Sequence, residues 1–394
     1  MSQLSTQLIH HPYRPPVGFD AVAPGVHKAS TVIFPNVHAL RTQEWTDKSG
    51  YTYGLHGTPT TFTLEERIAT IEGGSHCVLA PSGLSALSLV DMAFLQQGDE
   101  LLIPDNAYGP NKAFAGVELA RWGIAHRFYD PLDPTDLAAK IGPATRLVWL
   151  EAPGSITLEF PDLPALVGVV RGANAGRQRP IVTALDNTWG AGIAFNAFAL
   201  GVDVSMQALT KYPSGGADVL MGSVVTRDRT LHHQLLMTHM RLGLGVSGND
   251  AELVLRGLNT MTLRYAAQDT ATRELAGWMQ AQAGVAQVLH PALPGSLGHD
   301  TWQRDAKAAA CLFSVVFDER FDQSQIDVFC DHLRLFKLGW SWAGPISLCA
   351  PYNVSSIRTQ GWPHRGCLVR FAVGLEAVDE LRADLAQALA TLPV

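Results

Sequence analysis

Lys211 follows the apolar run VDVSMQAL (202–209), and PSGG (213–216) then breaks any regular structure, so the lysine sits where a buried strand ends. An ammonium there is costly unless it is neutralised, paired or used covalently, and lysine loses its proton readily enough to serve as a Schiff-base amine. Taken alone, Lys211 reads as a surface lysine on a turn. A second buried-strand pattern, PIVTAL (180–185), ends in Asp186, which by itself is no more than a helix N-cap. If both residues close the carboxyl ends of neighbouring strands in an open α/β sheet, they share the crevice where that architecture binds ligands. Pyridoxal phosphate requires such a pair: a lysine for the Schiff base and a carboxylate to keep the pyridine nitrogen protonated.

Other residues have the types such a crevice needs. HCVLA (76–80) reads as a strand running through Pro81-Ser82 to Gly83 and Leu84 and on into a helix, and a glycine at that turn lets backbone N–H groups approach an anion at a helix N-terminus. ELLIP (100–104) delivers Tyr108, an aromatic at a strand end that can stack on a flat cofactor or simply occupy a turn. Arg370 interrupts the apolar strand pattern CLVRFAV (367–373), and a guanidinium there requires a carboxylate partner, from a substrate or from an internal Asp or Glu. GLGVSG (243–248) matches the dinucleotide fingerprint, but the helix-like stretch LHHQLLMTHM (231–240) precedes it where a buried strand is required, so it is a loop coincidence.

These residues need elements to hold them. A helix is expected over 61–72 with its capping box in TLEE, closed by Gly73-Gly74; a strand over 146–151; and helical spacing over 250–282. Alternating strands and helices from about 75 to 225 imply βαβ units and a mostly parallel sheet, and the strands and helices beyond 300 imply an α+β portion. The expected division is an N-terminal arm over 1–60, too irregular to build its own core and suited to lie on a second subunit; a large α/β domain over 61–255; and a smaller α+β domain over 256–394.

At 47% hydrophobic and 16% charged residues the 394-residue chain is globular, and its net charge of -7 offers no footprint for nucleic acid or an anionic membrane. No apolar run approaches a membrane span and the N-terminus has no signal-peptide core, so a cytoplasmic enzyme is expected. Cys77, Cys311, Cys330, Cys349 and Cys367 show no CxxC spacing, and His232, His233 and His239 lack the HExxH pattern, so neither disulfides nor a metal site is expected.

The run SMQALTKY (205–212), with DNT (186–188) before it and ADVLMG (217–222) after it, resembles the Cys/Met-metabolism family of pyridoxal-phosphate enzymes. The resemblance covers nearly the whole chain and implies fold type I, the aspartate-aminotransferase-like fold. It implies that Lys211 carries the cofactor, that Asp186 faces its ring nitrogen, and that Tyr108 stacks on it. It implies further that Gly83, Leu84 and Thr210 help hold it, with Tyr53 reaching its phosphate from a neighbouring subunit. Arg370, in LVR before GLE (374–376), and Ser341 with Trp342 would hold the substrate carboxylate; the tryptophans around Ser341 either frame the pocket or simply pack. The family's arginine after the arm tyrosine is replaced here by Leu55, with His56 as the nearest substitute, and Ser155 stands where the family often has asparagine.

The implied activity is a carbon-sulfur β-lyase on an amino-acid thioether such as cystathionine, in a homo-oligomer, a dimer of dimers. Trp340 before Ser341 favours β- over γ-elimination, because family γ-lyases tend to carry glutamate there, while Pro345-Ile346 departs from the usual pattern in the distal pocket. The alternatives are a γ-lyase or a cysteine-conjugate or cysteine desulfhydrase on the same scaffold, or a regulatory protein that holds the cofactor without turnover.

Overall fold

The computed structural model describes residues 3–13, 17–19, 21–359 and 361–393. Within the arm expected over 1–60, positions 1–2, 14–16 and 20 therefore lie outside the described residues.

Seven strands form the large sheet: β1 (His76–Ala80), β2 (Glu100–Pro104), β3 (Ala125–Tyr129), β4 (Thr145–Glu151), β5 (Val182–Asp186), β6 (Val204–Ala208) and β7 (Gly222–Thr226). Their spatial order is β1-β7-β6-β5-β4-β2-β3, with β7 antiparallel to both neighbours and β6, β5, β4, β2 and β3 mutually parallel. The inner parallel strands β2, β4, β5 and β6 are covered on both faces, which is why they read as largely apolar runs, while β3 at the edge alternates exposed and covered residues. Along β4, Val148 and Leu150 point into one core layer while Leu147 and Trp149 point into the other, as alternation across a strand demands. The helix Gly83–Phe94 packs on the second layer, where Asp91 accepts from the Trp149 indole N–H at 2.8 Å. The resulting doubly covered sheet with a smaller second sheet agrees with the fold class expected from the sequence.

The second sheet comprises β8 (Val285–Leu289), β9 (Leu312–Phe317), β10 (Lys337–Leu338), β11 (Leu348–Tyr352) and β12 (Leu368–Ala372), in the order β10-β11-β12-β9-β8. Its core is aromatic: the Phe313 and Phe371 rings stack at 5.0 Å, and Phe336 meets Phe371 edge-on at 5.4 Å.

Several local expectations are corrected. The first long helix runs Pro59–Glu72, capped by Thr58 in a reciprocal box with Thr61 and with proline at its first position, rather than starting from TLEE. The helical stretch over 250–282 is two helices, Gly248–Leu258 and Met261–Met279, separated at Asn259 and Thr260. The limits placed at 60/61 and 255/256 fall inside the helices Pro59–Glu72 and Gly248–Leu258.

Candidate active site

The parallel strands β6, β5, β4 and β2 are neighbours, so their carboxyl ends open on one edge of the sheet, and the residues at and just beyond those ends come together there. Asp186 ends β5, Glu151 ends β4, Tyr108 lies four residues beyond β2, and Lys211 three beyond β6. β12 and the loop after β10 supply the opposite wall, with Arg370, Ser341 and Trp342, enclosing a cavity of about 490 Å³.

Lys211 Nζ donates to Ser341 Oγ at 2.8 Å and lies 5.7 Å from the centre of the Trp342 ring, a ring held edge-on against buried Tyr212. Burial, reinforced by the charge of Arg370, brings the Lys211 ammonium down to about 8, so about a tenth of it is free amine at pH 7, far more than for an ordinary lysine. Ala343, at φ 62, turns the chain sharply after Ser341 and Trp342.

Asp186 Oδ1 accepts from the Thr188 amide at 3.0 Å and from the Thr188 hydroxyl at 2.5 Å, while that hydroxyl accepts from the Ala208 amide at 2.9 Å. This chain of bonds ties the end of β5 to the end of β6. Burial raises the Asp186 carboxyl, and the Thr188 bonds and Lys211 oppose the rise.

Gly83 begins the helix that Ser82 caps, the Ser82 hydroxyl accepting from the Ser85 amide at 3.0 Å. A Cβ added at Gly83 would lie 2.7 Å from the Ala208 Cβ, so the helix N-terminus can approach the end of β6 only as glycine. Gly83 and Leu84 line the cavity there, leaving the helix's first N–H groups at its edge. Thr210 also lines it, its hydroxyl accepting from the Met221 amide at 3.1 Å.

Arg370 is 7% exposed, at the middle of β12 between Ala350 and Ser314. Its Nη1 donates to the Ser155 carbonyl at 3.3 Å and its guanidinium lies 5.2 Å from the Tyr352 ring. Among the described residues it has no ion-pair partner, so the internal-carboxylate alternative finds no support, and a buried cation faces the cavity ready for an anion. Ser155 serves through its backbone carbonyl.

Tyr108 lines the cavity with its ring 41% exposed, and its backbone N–H donates to Glu151 Oε2 at 2.8 Å. Trp340 stands at the same cavity, 75% exposed, its ring edge-on to Tyr352 at 5.3 Å. Tyr53 is not among the residues lining this cavity; it is half exposed and edge-on to His56. His56 stacks on Trp45 at 4.4 Å and shares a 2.8 Å hydrogen bond with the Thr52 hydroxyl, and with Leu55 it lines a different, smaller pocket.

Among the cavity residues to which sequence reasoning gave no role, three carry polar groups beside the site. Thr188 was visible as an Asp-x-Thr turn signal, Glu151 only as the end of an apolar run, and Tyr352 had no sequence signal tying it to Arg370.

The donor set fits pyridoxal phosphate: a lysine whose proton is loosened, a part-buried aspartate at the cavity, a glycine cradle that a Cβ would fill, and a buried arginine without a carboxylate. A family model described as Cys/Met metabolism PLP-dependent enzyme matches residues 5–390. A cystathionine beta-lyase of Escherichia coli strain K12 is 36% identical over 388 residues, covering 97% of each chain. A cystathionine beta-lyase of Bordetella avium is 38% identical, covering 96% of this chain and 94% of that one. Among solved structures, a cystathionine gamma synthase of Xanthomonas oryzae pv. oryzae, in complex with aminoacrylate and cysteine, superposes with a TM-score of 0.90 at 28% identity, covering 99% of this chain and 98% of that chain.

Proposed function

The chain belongs to the Cys/Met metabolism PLP-dependent enzyme family, and on that premise we propose that it is a carbon-sulfur β-lyase converting cystathionine and water to homocysteine, pyruvate and ammonia. The observation that carries the reading is one cavity holding Lys211, Asp186 and an Arg370 without a carboxylate partner. The names of the Escherichia coli and Bordetella avium relatives support the substrate, and Trp340 in place of the glutamate tended toward in γ-lyases supports β-elimination.

Pyridoxal phosphate, when bound, supplies an electron sink for charge left at the substrate α-carbon. Gly83 and Leu84 would hold its phosphate, with Tyr53 of a neighbouring subunit in a homo-oligomer, Thr210 would help hold the cofactor, and Tyr108 would stack on its ring. Asp186 would face its ring nitrogen and favour the proton there. Arg370, with Ser341 and Trp342, binds and orients the substrate carboxylate. Lys211 Nζ, whose proton is held less tightly than an ordinary lysine's, takes the α-proton as the free amine, and Lys211 or Tyr108 returns a proton to the departing thiolate sulfur. Among the described residues no helix is long and apolar enough to cross a membrane, and the proposed setting is the cytoplasm.

The test is the visible spectrum of purified protein with and without borohydride, followed by product analysis on cystathionine. The expected result is a borohydride-sensitive absorbance, lost in Lys211→Ala, with pyruvate as the keto acid. A colourless protein indifferent to added pyridoxal phosphate would refute the reading. A γ-type reaction, favoured by the likeness to the cystathionine gamma synthase structure, would release 2-oxobutyrate instead.

A further inference from the structure

Glu151 and Asp186 are direct register partners at the ends of adjacent parallel strands, and both line the cavity. Side chains of such partners point to the same face, so two carboxyl groups stand side by side at one cavity, Glu151 buried and Asp186 part-buried. Asp186 is well supplied, with two bonds from Thr188 and Lys211 nearby. Glu151 is 8% exposed and accepts only the Tyr108 amide among the bonds described.

Lys112 is the cation whose charge bears on Glu151 and opposes its protonation, but it is engaged elsewhere, as is Arg358 beside Glu159. Lys112, on the helix after Tyr108, pairs with Asp105 at 2.8 Å and donates to the Ile357 carbonyl at 2.6 Å. Arg358 pairs with Glu159 at 2.5 Å and lies 3.4 Å from Asp105. Glu159, itself acidic, stands in the loop after β4, and Tyr129 on β3 donates its hydroxyl to the Trp149 carbonyl at 2.7 Å. Among the described residues Glu151 has no ion pair, and a charge on buried Glu151 would stand beside that of part-buried Asp186, which disfavours ionising both.

We propose that Glu151 is a positioning residue that works as a neutral acid, holding the Tyr108 backbone at the cavity while leaving Asp186 as the fixed anion there. This rests on the reading of Tyr108 and Asp186 as cofactor-facing residues. A protonated carboxyl keeps a carbonyl oxygen to accept the Tyr108 N–H, and it adds no second negative charge beside Asp186. Burial, and next the charge of Asp186, push Glu151 well above the usual carboxylate range, in keeping with the geometry.

The decisive measurement needs no bound cofactor. An infrared difference spectrum of wild type minus Glu151→Gln, taken on cofactor-free protein in D2O near neutral pH, is expected to show the carbonyl band of a protonated carboxyl. Carboxylate bands in its place would overturn the neutral-acid assignment. In the loaded protein, the pH midpoint of the cofactor absorbance is expected to stay put in Glu151→Gln; a displacement of about one pH unit or more would mean that Glu151 is ionised. Glu151→Ala, checked for folding by circular dichroism, is expected to lower kcat/KM about tenfold or more, with Glu151→Gln restoring most of the loss. Wild-type activity in Glu151→Ala would overturn the positioning role. If the protein took up no pyridoxal phosphate yet showed the carboxyl band, the proposed function would fail while the protonation state of Glu151 stood.

Discussion

The carboxyl of Glu72 offers a quantitative check on the packing behind the site. It ends the helix Pro59–Glu72 at 1% exposure, and its Oε2 accepts from Ser205 Oγ at 2.6 Å and from Asn187 Nδ2 at 2.9 Å. Its Oε1 is buried without a hydrogen-bond partner, and no cation pairs with it among the described residues. Burial accordingly raises it from 4.5 to about 7 against the help of Ser205 and Asn187. The folded protein then holds this proton more tightly than the unfolded chain does. Its contribution to stability is complete below about pH 4.5 and is lost as pH rises through about 7. The gap between the two values corresponds to about 3 kcal/mol. Glu72→Gln retains an oxygen for Ser205 and Asn187 and cannot ionise. Urea unfolding at matched protein concentration should therefore show wild type losing about 3 kcal/mol more than Glu72→Gln between pH 4.5 and 8. A variant-minus-wild-type difference that stays constant across that range would refute the reasoning, since it would mean that Glu72 titrates alike in the folded and unfolded states.

Gly83→Ala forces a methyl to within 2.7 Å of the Ala208 Cβ, and a stability loss of about 1–3 kcal/mol with weaker pyridoxal phosphate binding is expected in urea and spectral titrations. Because Lys211 sits at about 8 rather than 10.5, the rate at which cofactor-free protein develops colour with added pyridoxal phosphate should climb with pH and level off above about 8; a rate still climbing at pH 10 would contradict the burial argument. Arg370→Ala should raise KM for the thioether about tenfold or more, and an unchanged KM in steady-state assays would remove Arg370 from substrate binding.

What the amino-acid order determines by itself is mostly local. The apolar runs before Asp186 and Lys211 could be read as buried strands because Pro, Gly and polar residues bound them over a few positions, and Gly83 could be read as a strand-to-helix turn because an apolar strand runs through Pro81-Ser82 into it. The family resemblance rests on the same short runs. The N-cap at Thr58 was missed because Thr63-Leu64-Glu65-Glu66 offers a competing signal, and the break at Asn259 and Thr260 was missed because apolar spacing continues across it. Tertiary structure alone decided which strand ends became neighbours. Glu151 is a cavity acid because β4 pairs with β5 in register, Arg370 is a buried cation at that cavity because β12 stands across from the large sheet, and Ser341 meets Lys211 across 130 residues of chain. Pairing order and domain apposition depend on the summed burial of two sheets and their covering helices, a long-range quantity that no window of sequence contains.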